Sequence, residues 1–290
     1  MNLAKHGRNV HVLDIELDTT KRQEFWFLLS ADHHWDNPDT NRDMMLRHLK
    51  EAKEKQAPVL MIGDFFCAMQ GKYDRRSDKS KLRPEHAKGE YLDLLVNTAA
   101  EWLAPYREQI ALIGLGNHET AILKNHETNL TERLVERLNF TGDHKVHAGG
   151  YGGYFIIHFK HKYKNASKAY NIKYFHGHGG GGPVTKGVIQ SQRQAVYYPD
   201  ADCVISGHVH EQYTICHMQE RVHPGTHSIV QREQWHVRMP TYKDEYKDGH
   251  SGYHIESGRP PKPVGAYWLR LTTQINDKGM IITPDFILAR

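Results

Sequence analysis

Residues 24–34, EFWFLLSADHH, contain a continuously apolar run that stops at an acidic residue and two histidines. An apolar run of this length predicts a buried β-strand. Because the run stops at Asp32, the strand places Asp32, His33 and His34 at its carboxyl end. Loops that follow strand ends in α/β sheets are where functional side chains gather.

The same arrangement recurs four more times along the chain. Each time, an apolar, strand-like run is followed by a short cluster of polar residues. The four further clusters are Gly63-Asp64, Gly116-Asn117-His118-Glu119, His176-Gly177-His178 and Gly207-His208-Val209-His210. Since several strand ends can converge on one point, we expect a single site built from five loops.

Strand and helix patterns alternate in the first half of the chain, and strands dominate the second half. The expected strands are residues 10–17, 24–31, 59–62, 110–114, 154–159, 170–175, 201–206, 265–275 and 280–288. The expected helices are residues 43–56, 91–103 and 119–138. This order predicts a layered α/β sandwich. We expect one domain over residues 1–290, with an irregular segment at 240–265 that covers the site.

The composition excludes several classes of protein. Of the 290 residues, 39% are hydrophobic and 25% are charged, which argues against a disordered, collagen-like or coiled-coil chain. The three cysteines are widely spaced and form no C-x-x-C pair, which argues against a disulfide framework. No apolar stretch approaches the roughly 18 residues of a membrane helix, and no secretory signal is visible. We therefore expect a cytoplasmic protein with no membrane contact.

Histidine is unusually frequent, at 22 residues, and it is the commonest metal ligand among side chains. Asp32 and His34 are two positions apart, as are His208 and His210. On an extended backbone such pairs project from the same face and can share a metal ion. Carboxylate and imidazole donors suit Zn, Fe, Mn or Co. The net charge of +4 permits an anionic substrate without requiring nucleic acid.

The five clusters, in this order, resemble the calcineurin-like metallophosphoesterase superfamily, whose pattern D-x-H, G-D, G-N-H-E/D, H, G-H-x-H matches positions 32–210. The resemblance implies a four-layer αββα sandwich, in which two mixed β-sheets are flanked by helices. It also implies two divalent metal ions, with Mn favoured and Fe, Zn, Co or Ni as alternatives. The residues implied as ligands are Asp32, His34 and His210 for the first ion, Asn117, His176 and His208 for the second, and Asp64 as the bridge between them.

The same resemblance implies a catalytic role for His118, which stabilises the phosphoryl oxygens or protonates the leaving group. Glu119 then orients His118 or caps the following helix. Two cations about 3.5–4 Å apart acidify a bound water and hold the attacking and leaving oxygens of an in-line displacement at phosphorus. The implied activity is therefore phosphoester hydrolysis by a metal-bound hydroxide.

Departures from the better-known branches narrow this expectation. The second cluster continues here as Gly63-Asp64-Phe65-Phe66, whereas the protein phosphatase branch continues this motif with Asp-Arg-Gly and so supplies a phosphate-binding arginine. Lipid A pathway hydrolases typically carry Arg at the position of His118. We therefore expect a bacterial or phage phosphodiesterase, with DNA or RNA as a candidate substrate and partner. The alternatives are a phosphomonoesterase acting on a nucleotide or phosphoprotein, and a nucleic-acid-binding or scaffold protein with an inactive site.

Three further sequence features, one at His178, one at residues 179–182 and one formed by four later histidines, each allow two interpretations. His178 competes with His176 as a ligand, and the resemblance favours His176. Residues 179–182 are all glycine, and we interpret them as a flexible connector in preference to a loop that contacts phosphate. His217, His223, His227 and His236 lack ligand spacing and are interpreted as surface or structural histidines.

Two basic segments are also ambiguous. The first interleaves lysines with aromatic residues, and a solvated hairpin face is preferred over a platform for single-stranded nucleic acid. Its members are Lys160, Lys162, Lys164, Lys168 and Lys173 with Phe159, Tyr163, Tyr170 and Tyr174. The second is by default a charged surface loop, with substrate contact as the alternative. Its members are Arg75, Arg76, Lys79, Lys81 and Arg83.

Overall fold

Two β-sheets pack face to face in the computed structural model, which describes residues 2–68, 81–180, 182, 184–250 and 253–290. The first sheet has seven strands in the order β1 (Asn2–His6), β2 (Val10–Leu17), β7 (Gly152–His161), β8 (Ser167–Phe175), β9 (Cys203–Ser206), β11 (Ser228–Arg238) and β10 (Tyr213–His223). The second has six, in the order β13 (Gly279–Ala289), β12 (Ala266–Asn276), β3 (Gln23–Ser30), β4 (Val59–Ile62), β5 (Ile110–Gly114) and β6 (His147–Ala148). Both sheets combine parallel and antiparallel pairs.

The helices lie outside the two sheets. They are α1 (Arg42–Glu54), α2 (Tyr91–Leu103), α3 (Asn117–His126), α4 (Leu130–Asn139), α5 (Val188–Tyr197) and the short α6 (Tyr253–Glu256), with single 3₁₀ turns at Pro84–His86 and Ala104–Tyr106. α1, α2 and α4 cover the outer face of the six-stranded sheet, where Leu49, Leu95 and Leu134 are buried against strand residues. α5 contacts the other sheet, with its Ser191 hydroxyl 3.0 Å from the Tyr213 hydroxyl. The expected α/β fold, with two mixed sheets flanked by helices, is confirmed.

Alternating side chains create the core between the sheets. On β7, Phe155, Ile157 and Phe159 point inward and are fully buried against residues of the facing sheet, including Phe27 and Leu29 of β3. Central strands β4 and β5 are buried on both faces, which is why their sequences are continuously apolar. These short parallel strands end next to one another and provide a rigid base for the loops that follow.

The structure differs from the sequence expectation at residues 119–138. One helix was expected there, but the chain forms α3 and α4 with a break between them. Glu127 ends α3 in the left-handed region at φ 53°, and the Asn129 side chain caps α4 by accepting a hydrogen bond from the Glu132 amide at 3.2 Å. Asn129 is a preferred N-cap residue and indicates a helix start at this position. The leucines continue at helical spacing across the break, so their pattern predicted one helix instead of two.

The sequence patterns also missed the long hairpin of β10 and β11, together with β1, β6 and α5. Most residues of β10 and of the first half of β11 are exposed or half-buried, so these strands lack a continuous apolar run. None of the helices in the described part of the chain is long and apolar enough to cross a membrane.

Candidate metal centre

The five polar clusters follow the carboxyl ends of five strands, β3, β4 and β5 in one sheet and β8 and β9 in the other. Within each group the neighbouring strands are parallel, so their ends point the same way. Backbone hydrogen bonds then tie the loops together. The Asp32 amide donates to the Gly63 carbonyl at 3.1 Å, and the His34 amide donates to the Asp64 carbonyl at 3.0 Å.

The seven side chains that the resemblance implies as ligands lie together in two adjoining groups. In the first, His210 Nε2 is 3.3 Å from Asp32 Oδ1 and 3.4 Å from His34 Nε2. The donor atoms of these three residues all lie within 4.8 Å of one another. Such spacing allows one ion to contact all three.

The second group contains the remaining four residues. His176 Nε2 is 3.1 Å from Asp64 Oδ2 and 3.1 Å from Asn117 Oδ1. His208 Nδ1 is 2.6 Å from Asn117 Oδ1. The groups adjoin because His176 Nε2 is also 4.0 Å from Asp32 Oδ1 of the first group. The candidate bridging residue, Asp64, contacts His176 directly.

The donor set fits divalent cations. Asp32 Oδ1 is buried and, in the described part of the chain, has only imidazole nitrogens beside it, His210 Nε2 at 3.3 Å and His176 Nε2 at 4.0 Å, so a cation would complete its environment. The other oxygens of the acidic pair are held by backbone amides: His208 N donates to Asp32 Oδ2 at 2.8 Å, and His118 N donates to Asp64 Oδ1 at 2.9 Å. His176 Nδ1 donates to the Ile62 carbonyl at 3.0 Å, so Nε2 is the nitrogen that would bind a metal ion in exchange for its proton.

The electrostatics of the group also call for positive charge. Burial opposes protonation of His176, yet the neighbouring Asp64 and Asp32 carboxylates outweigh it and raise the pKa of His176 to about 10. Burial by itself would raise the pKa of Asp64, but His176 and His118 hold it well below its usual range. The carboxylates thus favour a cation at this position, which a divalent ion supplies more strongly than an imidazolium.

Five of the seven side chains stand on backbone in the left-handed region. The φ angles are 51° at Asp32, 46° at His34, 50° at Asp64, 74° at His208 and 53° at His210. This conformation costs about 1–2 kcal/mol for a residue with a Cβ, and such strain concentrates at functional sites. It also corrects the sequence argument, which assumed that the paired side chains project from an extended backbone. The pairs meet because the loops turn sharply.

Two glycines of the motifs are required by close approach. A Cβ on Gly116 would overlap the Asp64 carboxylate and backbone amide, and one on Gly207 would overlap the Asp32 carboxylate and the Ala31 side chain. The glycines in these clusters therefore let the carboxylates pack against neighbouring backbone.

Glu119 organises the loops beneath the metal-facing residues. Its buried carboxylate accepts hydrogen bonds from the backbone amides of Gly116 and Phe66, both at 2.8 Å, and of Asp64 at 3.1 Å. The first of these caps the start of α3, because Glu119 in the first turn accepts from the amide of the N-cap residue Gly116. Of the two roles considered for Glu119, helix capping is the one observed, together with a support of the Asp64 loop. Burial and the nearby Asp64 carboxylate raise the pKa of Glu119 to about 8.

His118 lies at the edge of the metal-facing cluster. Its Nδ1 is 2.5 Å from the Cys67 carbonyl, and its Nε2 is 3.9 Å from Asp64 Oδ2. Donation by Nδ1 fixes the ring, so that Nε2 is the nitrogen left to face the cleft. His118 also lines that cleft. The arrangement allows a hydrogen bond or proton transfer to a group bound beside Asp64.

A cleft of about 950 Å³ opens over the cluster. The irregular segment expected at 240–265 contributes Lys243, Glu245, His254 and residues 257–262 to its walls. Lys81, Lys186, Gly179 and Gly180 line it as well. Sequence reasoning singled out the segment but not Lys243 or Glu245, which belong to no spacing motif.

Other residues singled out in the sequence lie elsewhere. His178 is exposed, whereas His176 is buried in the cluster. Arg75, Arg76 and Lys79 lie outside the described residues, and Arg83 donates to the carbonyls of Asn37 and Thr40. Of the four further histidines, His236 is buried in β11 and its ring packs against His217, while His223 and His227 are exposed at the end of the β10–β11 hairpin.

The lysine-rich β7–β8 hairpin is not part of the cleft. Phe159, Tyr170 and Tyr174 are buried in the core and offer no surface for bases. β8 leads toward His176, so the turn that precedes it lies at the opposite end of the strand, roughly 30 Å away at about 3.3 Å per residue. The solvated-face interpretation of this hairpin is therefore the one that the structure supports.

The family comparison matches the part of the chain that contains the five polar clusters. A family model described as calcineurin-like phosphoesterase matches residues 25–212. No match was found among curated proteins. Among solved structures, a predicted phosphoesterase from Streptococcus pneumoniae is 10% identical, with 92% of this chain and 91% of that chain covered and a TM-score of 0.36. Vacuolar Protein Sorting 29 from Cryptosporidium parvum is 13% identical, with 91% and 98% covered and a TM-score of 0.37. The Plasmodium inner membrane complex anchor GAP50 is 11% identical, with 92% and 85% covered and a TM-score of 0.40.

Proposed function

The chain belongs to the calcineurin-like phosphoesterase family, and from that premise we propose that it is a two-metal phosphodiesterase. The observation that carries the proposal is the pair of adjoining donor groups, in which His176 Nε2 lies 4.0 Å from Asp32 Oδ1 of one group and 3.1 Å from Asp64 Oδ2 of the other. Asp32, His34 and His210 would hold one ion, and Asn117, His176 and His208 the other. Asp64 would contact both.

When bound, two divalent ions would acidify a water molecule and neutralise charge on the phosphoryl oxygens. The protein's own groups supply the rest. The Asp32 and Asp64 carboxylates balance the charge of the ions and are held by the backbone amides of His208 and His118. His118, fixed through Nδ1, would present Nε2 to the leaving oxygen and stabilise or protonate it. Manganese is the first candidate for the carboxylate and amide oxygens, and the four imidazoles suit Fe, Zn or Ni as alternatives.

The cleft favours a substrate larger than a single phosphate. Its volume of about 950 Å³ lies near the upper end of the usual range for ligand sites. Five cationic side chains line it, Lys81, Lys186, Lys243, Arg259 and Lys262, against three carboxylates, Asp64, Glu211 and Glu245. Lys81, Lys243 and Lys262 form ion pairs with Asp39, Glu245 and Glu211, and the lining still has an excess of positive side chains. A phosphodiester flanked by further phosphates, as in DNA or RNA, matches this charge. We include the segment 240–265 in the same proposal, as the part of a single domain that covers the site.

The test compares bis(p-nitrophenyl) phosphate with p-nitrophenyl phosphate in the presence of Mn²⁺, followed by single-stranded DNA and RNA. We expect the diester to be hydrolysed and two ions to bind per chain. Hydrolysis of the monoester alone would replace the proposal by a phosphomonoesterase. Two bound ions with no hydrolysis of either compound would favour the scaffold alternative.

Two variants distinguish the proposed metal ligand Asp64 from the proposed proton donor His118. Asp64→Asn should lose bound metal and turnover together, because it removes charge between the ions. His118→Ala should retain metal and lose turnover by about 10²-fold or more, the usual scale for a general acid. Loss of metal in His118→Ala, or retained turnover in Asp64→Asn, would contradict the assignments.

A further inference from the structure

Residues 241–243 are bonded to the loop that carries Asp32, although they lie outside the family match at 25–212. The Tyr242 amide and the Thr241 hydroxyl both donate to the Asp32 carbonyl, at 3.1 and 2.7 Å. Lys243 forms an isolated antiparallel bridge with Thr40. The backbone of Lys243 is therefore fixed relative to the Asp32 loop.

The Lys243 side chain is an unusual group for this position. The residue is only 7% exposed, and lysine is almost never buried unless it is paired. Its Nζ is 2.6 Å from Glu245 Oε1, and Glu245 Oε2 is in turn 3.3 Å from His254 Nε2. An ammonium has three N–H donors, so the bond to Glu245 leaves two for another acceptor. Lys243 lines the cleft together with His34 and Asp64.

The negative groups that act on Lys243 include Glu245 and the Asp39 carboxylate, and metal ions bound at the centre would add positive charge beside it. A buried cation beside a divalent ion is repelled unless an anion lies between them. The cleft in front of Lys243 is where the phosphoryl group of a substrate would bind under the proposed function. Such an anion would interact favourably with both.

We propose that Lys243 is a substrate-binding and catalytic residue whose ammonium donates to a non-bridging oxygen of the phosphoryl group, and that Glu245 is a positioning residue that holds this ammonium. The inference rests on the proposed function for the reaction, and on geometry for the anion site. Its ligand class is a phosphate oxyanion in the metal-loaded cleft. The competing explanation is a structural ion pair that only ties residues 243–245 together.

The experiment compares Lys243→Met with Glu245→Gln in the Mn²⁺-loaded protein. Lys243→Met removes the cation and keeps the length of the side chain, whereas Glu245→Gln keeps the cation and weakens its partner. We measure kcat and KM for bis(p-nitrophenyl) phosphate, the affinity for orthophosphate, and metal content. Lys243→Met should lower kcat by about 10²–10³-fold, the scale for losing one oxyanion donor. It should weaken orthophosphate binding by at least about tenfold, as expected for a lost charged hydrogen bond.

Glu245→Gln keeps the ammonium but weakens the contact that positions it, so it should weaken orthophosphate binding and lower kcat, each by less than Lys243→Met does, with both variants retaining two ions. A structural ion pair predicts the opposite pattern, in which both variants lose stability equally and neither changes orthophosphate affinity; that result would overturn the proposal. If Lys243→Met does not fold, the double variant Lys243→Met/Glu245→Gln removes both charges and is compared with Glu245→Gln alone. If the wild-type protein hydrolyses no phosphoester, the proposed function fails, and orthophosphate binding still decides the role of Lys243.

Discussion

Glu119 offers the sharpest test of how the candidate site is held in place. Its carboxylate is fully buried and accepts hydrogen bonds from three backbone amides, those of Gly116, Asp64 and Phe66. Glu119→Gln keeps the shape of the side chain but replaces one oxygen by an NH₂ group, which cannot accept. In its best orientation the amide oxygen serves Gly116 and Asp64. The Phe66 amide then faces a second donor.

The magnitude follows from counting these bonds. A buried amide left without an acceptor costs about 1–3 kcal/mol, so Glu119→Gln should reduce the free energy of unfolding by that amount. Glu119→Ala abandons all three amides and should cost about 3–9 kcal/mol by the same rule. Because domains are stabilised by only about 5–15 kcal/mol, the alanine variant is expected to be partly or fully unfolded.

Urea unfolding followed by tryptophan fluorescence and circular dichroism measures both losses, at a pH above 8 where Glu119 is ionised. Glu54→Gln, at an exposed position near the end of α1, is the matched control and should stay within about 0.5 kcal/mol of wild type. Metal content reports whether the Asp64 loop has moved, and Glu119→Gln should bind metal more weakly. A Glu119→Gln protein as stable as the control would refute the view that this carboxylate holds the loop.

Three further outcomes are expected. Gly207→Ala should destabilise the protein by about 1–3 kcal/mol and lower its metal content, because the new Cβ overlaps the Asp32 carboxylate; unchanged metal content would argue against this close approach. His176→Ala should reduce bound metal from two ions to one per chain while His178→Ala leaves both, and elemental analysis giving the reverse would reassign the ligand. Burial and Arg47 lower the pKa of His48 from 6.5 to about 4, so the neutral ring is favoured in the fold and stability is lost as pH falls from 6.5 toward 4. His48→Gln should flatten that decline, which one proton limits to about 1.4 kcal/mol per pH unit; parallel curves for variant and wild type in urea unfolding would contradict it.

The sequence predicted the central strands closely because their signals are local. The observed bounds match the predicted ones for β2, β4, β5 and α2. Burial on one face produces a periodic spacing of apolar residues, and burial on both faces produces a continuous apolar run, and both patterns are visible in a single sequence. The β10–β11 hairpin was missed for the converse reason. Its exposed, mixed residues pair by backbone hydrogen bonds, which require no particular side chain.

The sequence by itself also determined which polar residues follow strand ends, and hence that Asp32, Asp64 and His176 belong to one edge of the fold. Tertiary structure decided the rest. The left-handed turns that aim the side chains are set by bonds between loops rather than by local preference. The position of Lys243 depends on bonds between residues 241–242 and Asp32, about two hundred positions away in the chain. Contacts between residues so far apart in the chain produce no periodic pattern in the sequence, because they form only when the two sheets have packed.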